Sequence, residues 1–268
     1  MADFDYWRRQ GAEPLFGEVD VMRPEQRRFA GKLLLIGGNK GMFFAVANAM
    51  QEANKMGVGE CRAVMPDSLK NMVPSTPEIY FAESETSGAF GQKSLPELLR
   101  QAEWADVVVI VGDLGKNGET SVVMADFLNR IEKPVYLTRD AIDVVTNDVV
   151  NWSVREGRTV LFASMAQLQK IFRASYYPKM ITLTMPTNQL VETLHKFTLS
   201  YEMTVATFHN EQLIVAKNGE VVSMGIKDTH YTPISLFGGG LVTRMAILGV
   251  WNPEQDDLKT VATALTLR

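Results

Sequence analysis

Apolar runs that do not alternate constrain this chain more than any other feature. LLLI at 33–36, in KLLLI, and VVVIV at 107–111 are continuous, and the second is entirely β-branched. A strand wetted on one face alternates apolar with polar residues, whereas one covered by helices on both faces does not. Between such runs the period changes. In GMFFAVANAMQEANKMGVG, Phe43, Val46, Ala47 and Met50 recur at helical spacing, and Gly57 and Gly59 follow as a stop signal. ECRAVMP at 60–66 then reads as a second strand, which completes a strand, glycine loop, helix, strand unit of the kind that builds parallel sheets.

The alternation continues. SLPELLRQAEWA, SVVMADFLNRIEK and MAQLQKIFRAS read as helices, and DVVVIV, PVYLT and RTVLFAS as strands. The last third differs: after a helix in NQLVETLHKFTLSY come three short strands, MTVATFHN, EQLIVAKNG and EVVSMGI, with Asn218-Gly219 as a hairpin signal. At 268 residues and 46% apolar content the chain suits one large α/β domain over 31–268, preceded by a polar arm over 1–30.

Several function classes are disfavoured. A net charge of −4, with no long basic run, argues against nucleic acid as the main partner. No apolar run approaches the ~18 residues that would span a bilayer, and MADFDYWRRQ lacks the basic and hydrophobic regions of a secretion signal, so the expected location is cytoplasmic. Cys61 is the single cysteine, which excludes an intrachain disulfide and a thiolate metal cluster. His195, His209 and His230 lack metal-ligand spacing, so no metal site is expected from them.

Three glycine loops, GGNKGM at 37–42, GDLGKNGE at 112–119 and FGGGL at 237–241, fall where a strand or loop meets a helix. Glycine there lets backbone N–H groups approach an anion, and a helix N-terminus favours negative charge. None of the loops fits GxxxxGK[ST], and GGNKGM fails GxGxxG.

In this order the loops resemble the ribokinase-like NAD(P)H-hydrate dehydratases, also described as YjeF C-terminal or carbohydrate-kinase-related proteins, from Gly31 to about Gly249. KLLLIGGNKGMFFAVANAMQEANKMGVGECRAVMP is similar to the family's opening GGS-x-GM-x-GA, DVVVIVGDLG to its strand ending in GPGLG, and VYLTRDAIDVV to its DADAL segment. Asp140 and Ala141 keep that last segment, while Thr138 replaces its first aspartate. The resemblance implies a three-layer α/β/α fold with a central, mostly parallel sheet and an antiparallel C-terminal addition. It also implies ADP or ATP with Mg²⁺ as cofactor, an NAD(P)H hydrate as substrate, and homo-oligomers. Carried over residue by residue, it places substrate near Gly38, Asn39, Ala45, Gly112, Gly115, Asp140 and Ser164, and nucleotide phosphate near Thr207, Gly238, Gly239 and Gly240.

The departures share one direction. The family's TPHPGE falls on FASMAQ, with Ser164 for the histidine and Gln167 for the glutamate; its LKG lysine falls on Thr207; and the aspartate of GTGD falls on Leu241. In the family that aspartate is the base that activates the substrate hydroxyl for phosphorylation and elimination. Leucine cannot accept a proton, and general-base assistance is typically worth ~10² to 10⁴-fold. Two readings follow: a divergent dehydratase relative with weak or lost activity, in which Asp113 or Asp140 stands in for the base or merely caps a loop, or a non-catalytic nucleotide-binding or scaffold protein.

Overall fold

The computed structural model describes residues 5–19 and 23–267. Residues 1–4, 20–22 and 268 lie outside the described residues, and with them part of MADFDYWRRQ and part of the arm.

One ten-stranded sheet forms the middle layer. In chain order its strands are β1 (Trp7–Gln10), β2 (Lys32–Gly37), β3 (Glu60–Pro66), β4 (Ile79–Ala82), β5 (Val107–Gly112), β6 (Val135–Thr138), β7 (Thr159–Ala163), β8 (Thr204–His209), β9 (Gln212–Lys217) and β10 (Glu220–Gly225). They lie side by side as β1-β10-β9-β8-β7-β6-β5-β2-β3-β4. Only β9 runs against its neighbours; β10 turns back, and β1 pairs with it in parallel. The expected antiparallel addition is therefore β8–β10, inside the main sheet. The arm is tied to that edge, where Trp7 to Gln10 pair with Val221 to Met224 and the buried Gln10 amide donates to the Ala262 carbonyl at 2.7 Å.

The helices explain the non-alternating strands. On one face lie α1 (Phe44–Met56), α8 (Gly240–Trp251) and α9 (Asp257–Ala264), packed on Leu33, Leu35, Val107 and Val109. On the other lie α2 (Leu95–Trp104), α3 (Gly118–Arg130), α4 (Asp140–Val145), α5 (Val149–Trp152), α6 (Met165–Ala174) and α7 (Thr187–Ser200), over Leu34, Ile36, Val108 and Ile110. Successive residues of β2 and β5 thus bury into opposite cores. Local signals hold as well: Asn218 and Gly219 both have positive φ (48° and 79°), the pairing that a two-residue hairpin turn between β9 and β10 requires.

Strand order fixes where a ligand crevice can form. From β2 the chain steps outward through β3 and β4, then returns to the other side of β2 with β5 and continues to β8. The connections leaving β2 and β5 diverge at their carboxyl ends, and such reversals are where open α/β sheets hold ligands.

Candidate functional site

The glycine loops after β2 and β5 meet at this reversal. Gly38 N–H donates to the Gly112 carbonyl at 3.0 Å, and the Asn39 amide donates to the Asp113 carbonyl at 2.6 Å while accepting from Gly41 N–H at 2.8 Å. Gly112 has φ +97°, and a Cβ there would lie 2.6 Å from Asp140 Oδ1. That closeness lets Asp140 serve as the staple of the loop: its Oδ1 accepts from Asp113 N–H at 2.6 Å and its Oδ2 from Gly115 N–H at 3.1 Å. Burial pushes the Asp140 carboxyl above the ordinary aspartate value, opposed by those two amides, with the neighbouring Asp113 charge pushing the same way as burial.

Asp113 is equally engaged. It is 2% exposed; its Oδ2 accepts from Ala45 N–H in the first turn of α1 at 2.9 Å, and its Oδ1 accepts from the Arg139 guanidinium. Arg139 reaches across three loops, donating also to the Phe237 carbonyl at 3.2 Å and lying 3.8 Å from Met42 Sδ. Its backbone is unusual. At φ 56° and ψ −144° it occupies a region that side chains disfavour, a conformation that persists only where the surroundings over-determine it. Here they do: the guanidinium is paired with Asp113, and the Arg139 carbonyl accepts from the Gln167 amide at 2.6 Å.

Gln167 and Ser164 form a capping box at the start of α6, and the Gln167 amide also donates to Asp143 at 2.8 Å. The residues that replace the histidine and glutamate of the resembled motif therefore close a helix end and hold Arg139. Thr207 is fully buried and its hydroxyl has no partner among the described residues. It shares its sheet face with Val205, under α7, so it is not brought to the glycine turn before α8.

That turn serves packing first. Gly239 has φ +93°, and a Cβ on it would lie 2.6 Å from the Ala45 carbonyl, so glycine lets α8 close on α1. The Gly238 carbonyl accepts from the Asn48 amide of α1 at 3.1 Å. No side chain caps α8, and a cavity of about 640 Å³ opens along its first turn, lined among others by Gly238, Gly240, Asn48, Lys55 and Tyr231. Leu241 belongs to that turn, but its side chain is fully buried with Val46, Ala49 and Met245 in the α1–α8 core. Beside it the buried Arg244 pairs with Glu52, Nε to Oε1 at 2.7 Å.

The sequence-derived residues thus fall into groups. Gly38, Asn39, Ala45, Gly112, Gly115 and Asp140 come together at the β2/β5 reversal, Gly238 to Gly240 adjoin them through Ala45, Ser164 stands behind Arg139 through Gln167, and Thr207 is apart. Arg139 was missed, although it stands where the resembled DADAL segment has alanine, and a long cation in a small-residue position was a legible signal.

Architecture and strand order make this a ribokinase-like α/β protein. A ribokinase-like superfamily protein from Enterococcus faecalis V583 matches it with a TM-score of 0.70 over 98% of this chain and 86% of that one, at 17% identity. The ADP/ATP-dependent NAD(P)H-hydrate dehydratase of Bacillus subtilis, co-crystallised with ATP/Mg²⁺, matches with a TM-score of 0.60 over 90% of this chain and 79% of that one, at 16% identity.

Within that class the chain is a distant relative of NAD(P)H-hydrate repair enzymes. It is 30% identical over 141 residues to the bifunctional NAD(P)H-hydrate repair enzyme Nnr of Methanothermobacter thermautotrophicus, a stretch covering 49% of this chain and 27% of that enzyme. To the Moorella thermoacetica enzyme of the same name it is 28% identical over 121 residues, 44% of this chain and 23% of the enzyme. The matched stretches thus span about a quarter of each curated relative's length. No family model matches the chain. The resemblance read from the glycine loops is borne out in fold and in distant kinship.

Proposed function

We propose that this protein is a nucleotide-binding relative of the NAD(P)H-hydrate dehydratases that has lost the dehydration step. The observation that carries this reading is Leu241: an apolar side chain, fully buried, in the turn where the resembled family has its base. None of the nearby acids is free to replace it: Glu52, at the cavity itself, is paired with the buried Arg244. Asp113 joins the start of α1 to Arg139, and Asp140 holds the 112–115 loop by two backbone N–H groups.

Anion binding is separable from that chemistry. The first-turn amides of α8 have no side-chain cap, and Gly238 and Gly240 border the cavity together with Lys55. Backbone donors at a helix N-terminus suit a phosphate. The fit is partial, because a neutral, buried Thr207 supplies no charge to the phosphates and the crevice carboxylates already have partners, so the protein offers Mg²⁺ little beyond what a nucleotide's own phosphates would hold. Exposed Phe44 and Ile234 at the same cavity support self-association through this surface.

Calorimetry with ADP, ATP and AMP, with and without Mg²⁺, tests the binding half of the proposal. ADP and ATP are expected to bind, with little help from Mg²⁺ and with loss of binding in Gly240→Pro. Absence of binding by all three nucleotides would overturn it and leave a purely structural role.

A further inference from the structure

The other end of the sheet carries a second cavity, of about 370 Å³, at the amino ends of β2, β5 and β6 and below the last turn of α8. That volume lies at the lower end of the range for small-molecule sites. One donor on its lining lacks an acceptor, and a second is only partly engaged. Tyr136 is 1% exposed, and its hydroxyl has no hydrogen-bond partner among the described residues. Its place is made by Gly249, where a Cβ would lie 2.3 Å from the hydroxyl oxygen. Arg158, which also lines the cavity, has one charge contact, to Asp257 at 3.4 Å, too long and too single to use the five N–H donors of a guanidinium.

An unpaired buried hydroxyl costs about 1 to 3 kcal/mol, so a chain that keeps Tyr136 here, where phenylalanine would fill the same space, has kept a group suited to an acceptor. The remaining lining gives the acceptor a character. Phe29, Pro134, Val250 and Pro253 form apolar walls, with Phe29 63% exposed at the mouth. Arg28 and Arg158 face two acids: Asp106, whose Oδ2 is already held by Lys32 N–H at 2.9 Å, and the buried Asp257, which Arg158 contacts at 3.4 Å and whose charge also acts on Tyr136. The carbonyl end of α8, which would repel an anion, is partly answered by Asn252, whose N–H and side-chain amide both donate to the Leu248 carbonyl at 3.0 Å.

We propose that this cavity binds a small monocarboxylate with a compact apolar body, its carboxylate received by the Tyr136 hydroxyl and the Arg158 guanidinium and its body held between Phe29, Pro134 and Val250. The site is separate from the glycine turn, because the two lie at opposite ends of the sheet and of α8.

The test uses 2-naphthoate as probe and 2-naphthamide as its neutral match, with calorimetry for affinity and methyl NMR for location. Saturable naphthoate binding is expected to shift the Val107 and Val250 methyls, with the amide at least tenfold weaker. Tyr136→Phe should weaken naphthoate about tenfold, in line with one hydrogen bond to a charged group, and Arg158→Gln by more. Tyr136→Phe removes no partnered atom and serves as the variant whose folding is safe. ADP is expected to leave naphthoate affinity unchanged. Absence of naphthoate binding, equal binding of the amide, unchanged affinity in Tyr136→Phe, or displacement by ADP would each overturn the proposal.

Discussion

The two ends of the sheet differ in what their polar groups have left to do. At the carboxyl end, where the fold directs ligands, Asn39, Asp113, Asp140 and Gln167 all have partners, and most of those partners are backbone. At the amino end, Tyr136 and Arg158 border a cavity with donors in hand. Position in a fold says where chemistry can occur. Hydrogen-bond accounting says whether the groups there are available, because a carboxylate that already joins a helix start to an arginine cannot be withdrawn to serve as a base without breaking the structure it supports.

The largest effect that would break this contrast lies at Asp113. Asp113→Ala leaves Arg139 and the Ala45 amide without their acceptor and should lower unfolding stability by about 3 to 4 kcal/mol. Arg139→Ala should also destabilise, and the double variant should cost less than the sum of the two by about 1 kcal/mol or more. Urea unfolding measures all three. A loss below about 1 kcal/mol for Asp113→Ala would mean that the carboxylate is available after all.

Leu241→Asp sharpens the same point. It replaces a fully buried side chain in the α1–α8 core by an acid, and should cost about 2 to 3 kcal/mol without restoring dehydration. A stable variant with recovered turnover would show the turn to be intact except for one residue. Tyr136→Phe should raise stability by about 1 kcal/mol or more, because a buried hydroxyl is removed and no hydrogen bond is lost; a large loss would reveal a partner for that hydroxyl. The smallest structural consequence is expected at Cys61, whose thiol is pushed up to about 12 by burial and by the charge of Glu78. The thiolate is the reactive form, so labelling at neutral pH should run on the order of a thousandfold slower than in the unfolded chain and quicken as pH rises.

Much of the architecture was legible because burial on two faces leaves a direct mark on sequence. VVVIV could hardly be anything but an inner strand, and Gly57 and Asn218-Gly219 stand at the helix end and the hairpin turn where they were expected. β1 escaped notice because WRRQ is polar and short, as an edge strand is free to be, and its pairing partner lies more than two hundred residues away. The site divided along the same line. Leu241 was visible as a substitution in a local pattern. The work done by Arg139 was not, since it depends on Asp113, Phe237 and Gln167 arriving from separate loops, and the meeting of Tyr136 and Arg158 at one cavity likewise depends on β6 and β7 lying side by side.

The central claim is that the carboxyl-end crevice keeps a ligand-binding shape without its chemistry. The most direct measurement is turnover of hydrated NADH by the purified protein with ATP or ADP and Mg²⁺, followed as the return of NADH absorbance. The account predicts a rate no different from the protein-free control; steady NADH formation that scales with protein concentration would contradict it.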